Sequence, residues 1–322
     1  MGILVERQTP PDVTPISPPE QRTIDRSALR PWITGLSLLI SALALVATTI
    51  GIFTASGAQH FNFLSLRNET VPIQGGGLYA YESVSGAAQA IGQDWVTLLV
   101  GVLLLLIATW LASRGSLRWQ LLQAGVLWYF TYTYLLMAFG GAYNQLFLAY
   151  VILYSASIFA FLLSLHVIDV GSLPDKFSPH FARRTIAWLV IGIGALLALL
   201  WLGRIVPTLL AGSVPFGLDS YSTLFVQAGD LGLVVPLAIL SGVLLLRRRP
   251  VGYLLASVLL VKGATLGLAL VAMIVSQAAA GMAIAPVEAM FFGTVALICC
   301  AGTFHLIRSV PGRATEAAPA PS

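Results

Sequence analysis

Apolar residues along this chain come in blocks, and polar residues fall mostly between them. Eight blocks reach or approach the roughly 20 residues that a helix needs to cross a hydrocarbon core about 30 Å thick. They lie at about 32–55, 95–113, 119–139, 144–167, 186–211, 224–246, 251–275 and 286–307. The pattern predicts an all-α, polytopic transmembrane bundle of about eight spans. Around it we expect a Pro-rich tail (1–31), a membrane domain (32–309) with a polar outer loop (56–93), and a disordered tail (310–322).

Composition agrees, with 57% hydrophobic and 9% charged residues against roughly 25% charged in an ordinary soluble domain. That excludes a soluble enzyme, and the high hydrophobicity is the reverse of a disordered chain. The two cysteines, Cys299 and Cys300, are adjacent in an apolar run, so they offer neither a disulfide framework nor spaced zinc ligands.

A net charge of +4 could point to nucleic acid, but the basic residues sit in short clusters between the blocks, which is a mark of topology. One side receives Arg7, Arg22, Arg26 and Arg30, then Arg114 and Arg118, then Lys176, Arg183 and Arg184, then Arg247, Arg248 and Arg249, and finally Arg308 and Arg313. The other receives Arg67 and Arg204, and Lys262 falls inside the seventh span. The positive-inside rule then places both termini in the cytoplasm. The expected partners are the bilayer, a small-molecule or ion substrate and a membrane protein partner, with no nucleic acid. The first block is longer than the 7–15 apolar residues of a secretory signal, so we read it as a retained span.

The two halves carry features in the same order. Gly92-Gln93-Asp94, an apolar span, Arg114 and a run resuming at Trp119 match Ala228-Gly229-Asp230, an apolar span, Arg247-Arg248-Arg249 and a run resuming at Tyr253. Four spans per half predict a parallel 4+4 repeat, related by an axis along the membrane normal. Asp94 and Asp230 become counterparts, as do Tyr129 and Lys262.

Ionisable groups inside spans are costly and usually face the bundle interior or a cavity. Counting 1.5 Å per residue from the inner arginines puts Asp230 about 25 Å and Lys262 about 20 Å up their helices, so an ion pair between them is within reach. That pair has either a structural role or a role toward a substrate, ion or proton. Asp94 and Glu288, each near a helix start, are secondary candidates that helix-dipole stabilisation also explains.

Tyr143, Phe147, Tyr150 and Tyr154 share one helical face, with Asn144 beside them, and Tyr129 and Tyr132 share a face of the preceding span. The tight turn at Gly140-Gly141-Ala142 makes these spans antiparallel neighbours, so their Tyr faces can meet, as a polar-tipped groove or as an aromatic interface stripe. Gly263 and Gly267 form a Gly-x-x-x-Gly that admits close approach of a neighbouring helix.

No nucleophile elbow, His-Glu-x-x-His, Walker loop or dinucleotide fingerprint occurs, so we expect no catalytic residues, metal or cofactor. The stretches Arg114–Arg118, Tyr129–Tyr134 and Tyr143–Tyr150 resemble uncharacterised prokaryotic multi-pass membrane proteins. That resemblance implies a bacterial or archaeal plasma membrane and no particular substrate. The expected function is transporter- or permease-like. Its site would comprise Asp230, Lys262, Tyr129, Tyr132, Asn144, Tyr150 and Tyr154. The alternatives are a sensory or assembly subunit acting through the outer loop and, least supported, a membrane-embedded lipid enzyme.

Overall fold

The computed structural model describes residues 26–55 and 59–310, so the expectations for residues 1–25, 56–58 and 311–322 lie outside the described residues. Eight long helices appear in chain order: α1 (Arg30–Phe53), α2 (Val84–Ser113), α3 (Leu117–Phe139), α4 (Phe147–Val167), α5 (Arg183–Ala211), α6 (Phe225–Leu246), α7 (Pro250–Ala279) and α8 (Pro286–Ser309). Seven are long and apolar enough to cross a membrane. This is a multi-pass membrane protein in contact with the bilayer. The remaining helix, α3, is as long but more polar, and every residue from Leu121 to Tyr134 on it is buried. It faces protein on all sides, which is why its tyrosines and threonines are tolerated.

The helices start and stop where local chemistry dictates. Proline occupies the first turn of α1, α7 and α8, where its missing N–H has no intrahelical partner in any case. Ser83 caps α2 by accepting from the Gly86 amide at 3.0 Å, and α5 ends at Gly212 in the left-handed region (φ 62°). The Ser83 cap moves one boundary. The stretch from Val84 to Gln93, assigned to the outer loop, is the first part of α2; Gln89 and Gln93 make it look like loop. At the other end the first helix starts at Arg30, after a 3-10 turn over Arg26–Leu29, inside the stretch assigned to the tail.

What remains of the outer loop contains a short antiparallel hairpin, β1 (Phe61–Leu64) with β2 (Thr70–Ile73), pairing Phe61 with Ile73 and Leu64 with Thr70. At its tip Arg67 donates to the carbonyls of Tyr221 and Ser222, both at 3.2 Å. The hairpin thus reaches from the first half of the chain to the loop between α5 and α6.

At the centre α3 packs against α7, its counterpart in the second half, and α7 also packs on α2, α6 and α8. The Gly-x-x-x-Gly works as expected, and its neighbour is α8. A side chain on Gly267 would come within 2.7 Å of the Ala296 Cα, and one on Gly263 within 2.8 Å of the Cys299 Sγ. The halves are not identical, since α1 packs along α4 whereas α5 and α8 do not pack along one another.

Contacts sort the helix ends into two faces. On one, Arg26 lies 3.8 Å from Asp169, Arg183 donates to the last carbonyls of α6, and the Ser178 amide donates to the Ser309 carbonyl. On the other, Gln277 donates to Ser85 and the Ala142 amide donates to Glu82. The basic clusters belong to the first face.

Candidate intramembrane polar site

The second helix of each half is not a regular α-helix. A π-helical segment, in which the hydrogen bonds run i to i+5 and the turn takes an extra residue, covers Thr97–Val102 in α2 and Asp230–Val234 in α6. Such segments are rare and occur frequently at functional sites. The two sit at matching places in the halves, and each lies at or just after a buried aspartate.

Asp94, three residues before the first π segment, accepts from the Tyr79 hydroxyl at 2.6 Å. Gly51 on α1 makes room for it, since any side chain there would overlap the Asp94 carboxylate. Next to it Gln93 donates to the Tyr129 hydroxyl at 2.5 Å, and Thr97 bonds the same hydroxyl at 2.8 Å. Tyr129 is fully buried on α3, so this network ties α2 to the centre of the bundle.

Asp230 opens the second π segment. One carboxylate oxygen accepts from the Tyr132 hydroxyl and the other from the Trp201 indole N–H at 2.9 Å. Tyr132 comes from the first half, so this bond crosses between the halves. Lys262 is buried on α7, and its ammonium lies 4.0 Å from the centre of the Tyr132 ring. Among the described residues no carboxylate lies within 4.0 Å of it. In place of a direct Asp230–Lys262 ion pair, Tyr132 contacts both residues, giving its hydroxyl to the carboxylate and its π-face to the ammonium. The depth count put the two charges at similar heights but could not see that a tyrosine from another helix contacts both.

The other expected residues divide. The α3 face that carries Tyr129 and Tyr132 bonds to α2 and to Asp230 and not to α4; α3 meets α4 through Tyr134 stacked on Tyr150, with ring centres 5.9 Å apart, and through Trp128 against Phe161. Tyr154 packs edge-on against Phe139 with centres 5.7 Å apart. Asn144 precedes α4, where its side chain accepts from the Leu146 amide at 2.9 Å. Glu288 is in the first turn of α8, and its side chain lies outside the described residues. Tyr79, Gln93, Thr97 and Trp201 were not singled out from the sequence. Tyr79 stood in the outer loop, and Trp201 is a lone aromatic in a leucine-rich span.

Outside the spans, Glu82 joins three segments. It accepts from the Ala142 amide at 2.7 Å and from the Tyr221 hydroxyl. Burial raises its carboxyl above the ordinary range, outweighing the two donors, which pull it down. Burial and the Glu82 charge together raise the Tyr221 phenol.

In comparisons with known proteins, no family model, curated protein or solved structure matches the chain.

Proposed function

We propose that the protein is transporter-like and moves a small solute or ion through the interface between its two halves. The observation that carries this reading is the pairing of a π-helical break with a buried aspartate in the second helix of both halves. Interrupted helices at corresponding positions of two repeats are where membrane transporters place their sites, and buried intramembrane charge marks substrate, ion or proton pathways by default. Asp230, Tyr132 and Lys262 form the second-half part of the site; Asp94, Tyr79 and Tyr129 form the first-half part. In this reading the basic face is cytoplasmic, and the chain sits in a prokaryotic plasma membrane.

The test is flux in proteoliposomes carrying an internal pH dye, under a potassium diffusion potential and in media with and without sodium. Wild-type protein dissipates the imposed gradient faster than protein-free vesicles, and Asp230→Asn abolishes the excess. Wild-type vesicles no leakier than empty ones in both media would overturn the reading.

A second reading, a sensory or assembly subunit, draws on the hairpin, where Phe61, Phe63, Leu64 and Leu66 are all exposed. Replacing Phe61 and Phe63 by Ser separates the two readings. Flux survives the change under the first, whereas a copurifying membrane partner is lost under the second.

A further inference from the structure

We propose that Asp94 is a proton-binding site, holding a hydrogen ion where Asp230 in the second half has a lysine nearby. We assign the path of that proton to the hydroxyls of Tyr79 and Tyr150, which lead from Asp94 toward the face opposite the basic clusters. The role rests on the transport reading, for which it names the ion that the first half binds.

The two aspartates hold corresponding places on α2 and α6, but their surroundings differ in charge. Asp230 accepts from Tyr132, and the Lys262 ammonium lies 4.0 Å from the centre of that ring. The counterpart of Lys262 on α3 is Tyr129, which brings a neutral hydroxyl and bonds Gln93 and Thr97 instead. Asp94 is only 6% exposed and accepts from the Tyr79 hydroxyl. Among the described residues no lysine, arginine or histidine nitrogen lies within 4.0 Å of it.

The elements packed around Asp94 bring no cation to it. The titratable side chains that face it are Tyr79 from the segment before α2, Tyr129 and Tyr134 from α3, and Tyr150 from α4. Glu82, whose field also reaches Tyr150, is a second acid. From α1 it meets Gly51, and α7 touches α2 at Gly92 through Ala272 and Met273. An ionised carboxylate with no opposite charge is too costly in such a place, and a group so held is neutralised. A proton does this without needing space. A metal ion with its ligands does not fit beside the bonded oxygen, because even one methyl on Gly51 would overlap it and come within 2.8 Å of the Tyr79 hydroxyl.

The path is a run of hydroxyls. Tyr79 donates to Asp94 and shares a second side-chain hydrogen bond with Tyr150, which in turn shares one with Asn144. Both tyrosines are buried, whereas Asn144 is half-buried in the connection between α3 and α4, where it holds the far end of the run in place. A hydroxyl both donates and accepts, so it takes a proton as it gives up its own. One inward transfer therefore takes one proton from water, adds one to Asp94 and leaves both tyrosines neutral.

Infrared spectra of the full chain in lipid vesicles near neutral pH, in water and in heavy water, read the carbonyl stretch of protonated carboxyls. Wild type shows such a band, which moves to lower frequency in heavy water. Asp94→Asn removes it, whereas Asp230→Asn and Glu82→Gln leave it in place. Tyr79→Phe deletes the donor and moves the same band to higher frequency, which identifies it should the Asn variant not fold. Tyr150→Phe keeps the band and slows its exchange into heavy water severalfold. A spectrum in which Asp94→Asn removes no band, or Tyr79→Phe moves none, would overturn the site. Exchange as fast in Tyr150→Phe as in wild type would overturn the path. The band needs no flux. Vesicles that show it but move nothing leave the proton site standing without the transport reading, and flux without the band does the reverse.

Discussion

The Tyr132 hydroxyl donates to the Asp230 carboxylate on another helix, while the Lys262 ammonium lies over the face of the same ring, 4.0 Å from its centre. A tyrosine so placed couples two opposite charges without letting them touch. In the interior each contact is strengthened by the low dielectric, and a charge stripped of its partner is left in a poor solvent.

Double-mutant cycles should therefore find the strongest coupling between Tyr132 and Asp230, and a weaker one between Lys262 and Asp230. Tyr132→Phe removes a hydrogen bond to a charged group and is expected to cost about 1.5–3 kcal/mol in equilibrium unfolding. Asp230→Asn and Lys262→Met complete the cycles. A Lys262–Asp230 coupling as large as that of Tyr132 with Asp230 would mean that the charges meet directly.

Gly51 and Gly35 lie on the same helix and make opposite predictions. A methyl at Gly51 overlaps the Asp94 carboxylate and comes within 2.8 Å of the Tyr79 hydroxyl, whereas nothing lies within 4 Å of one at Gly35. Gly51→Ala is expected to destabilise by about 1–3 kcal/mol through overpacking. Gly35→Ala should be neutral or stabilise by up to about 1 kcal/mol, from helix propensity. Thermal unfolding of the two variants side by side checks both, and equal effects would remove Gly51 as the space-maker for Asp94.

The helices were legible because burial in lipid needs long unbroken apolar runs, and α1, α6 and α8 begin and end within about two residues of the expected bounds. The polar start of α2 was misread as loop because the bundle buries Gln93 and Asp94 against other helices, which a polarity pattern cannot anticipate. Asp230, Lys262 and Tyr132 were visible as costly residues in apolar surroundings. Their partners were not, because Tyr79 and Trp201 reach the aspartates through tertiary packing. The π segments leave no mark in composition either; only the matched positions of Asp94 and Asp230 in the two halves hinted that something recurs there.

Sidedness follows from charge. Reporters fused after Arg118, Arg184 and Arg249 are expected to report cytoplasm, since each follows a basic cluster. Reporters within 60–83 and 280–285 should report the opposite side. A cytoplasmic signal from the hairpin would invert the assignment.

Glu82 gives the segments it joins a pH dependence of definite sign. Burial raises its carboxyl above the ordinary range, more than the Tyr221 hydroxyl and the Ala142 amide lower it. A carboxyl raised in the folded state contributes stability that is fully present below its unfolded pKa and is lost as pH rises through the folded value. The wild-type unfolding temperature should therefore fall across that window, and Glu82→Gln, which cannot ionise, should flatten this part of the profile. The readout is the difference between the two curves, so that other titrating groups cancel. Tyr221→Phe sharpens the test. It removes the bond that most favours the charged carboxylate, and so should push the window to higher pH. A difference curve that rises with pH, or a window that stays put in Tyr221→Phe, would show that burial does not govern Glu82.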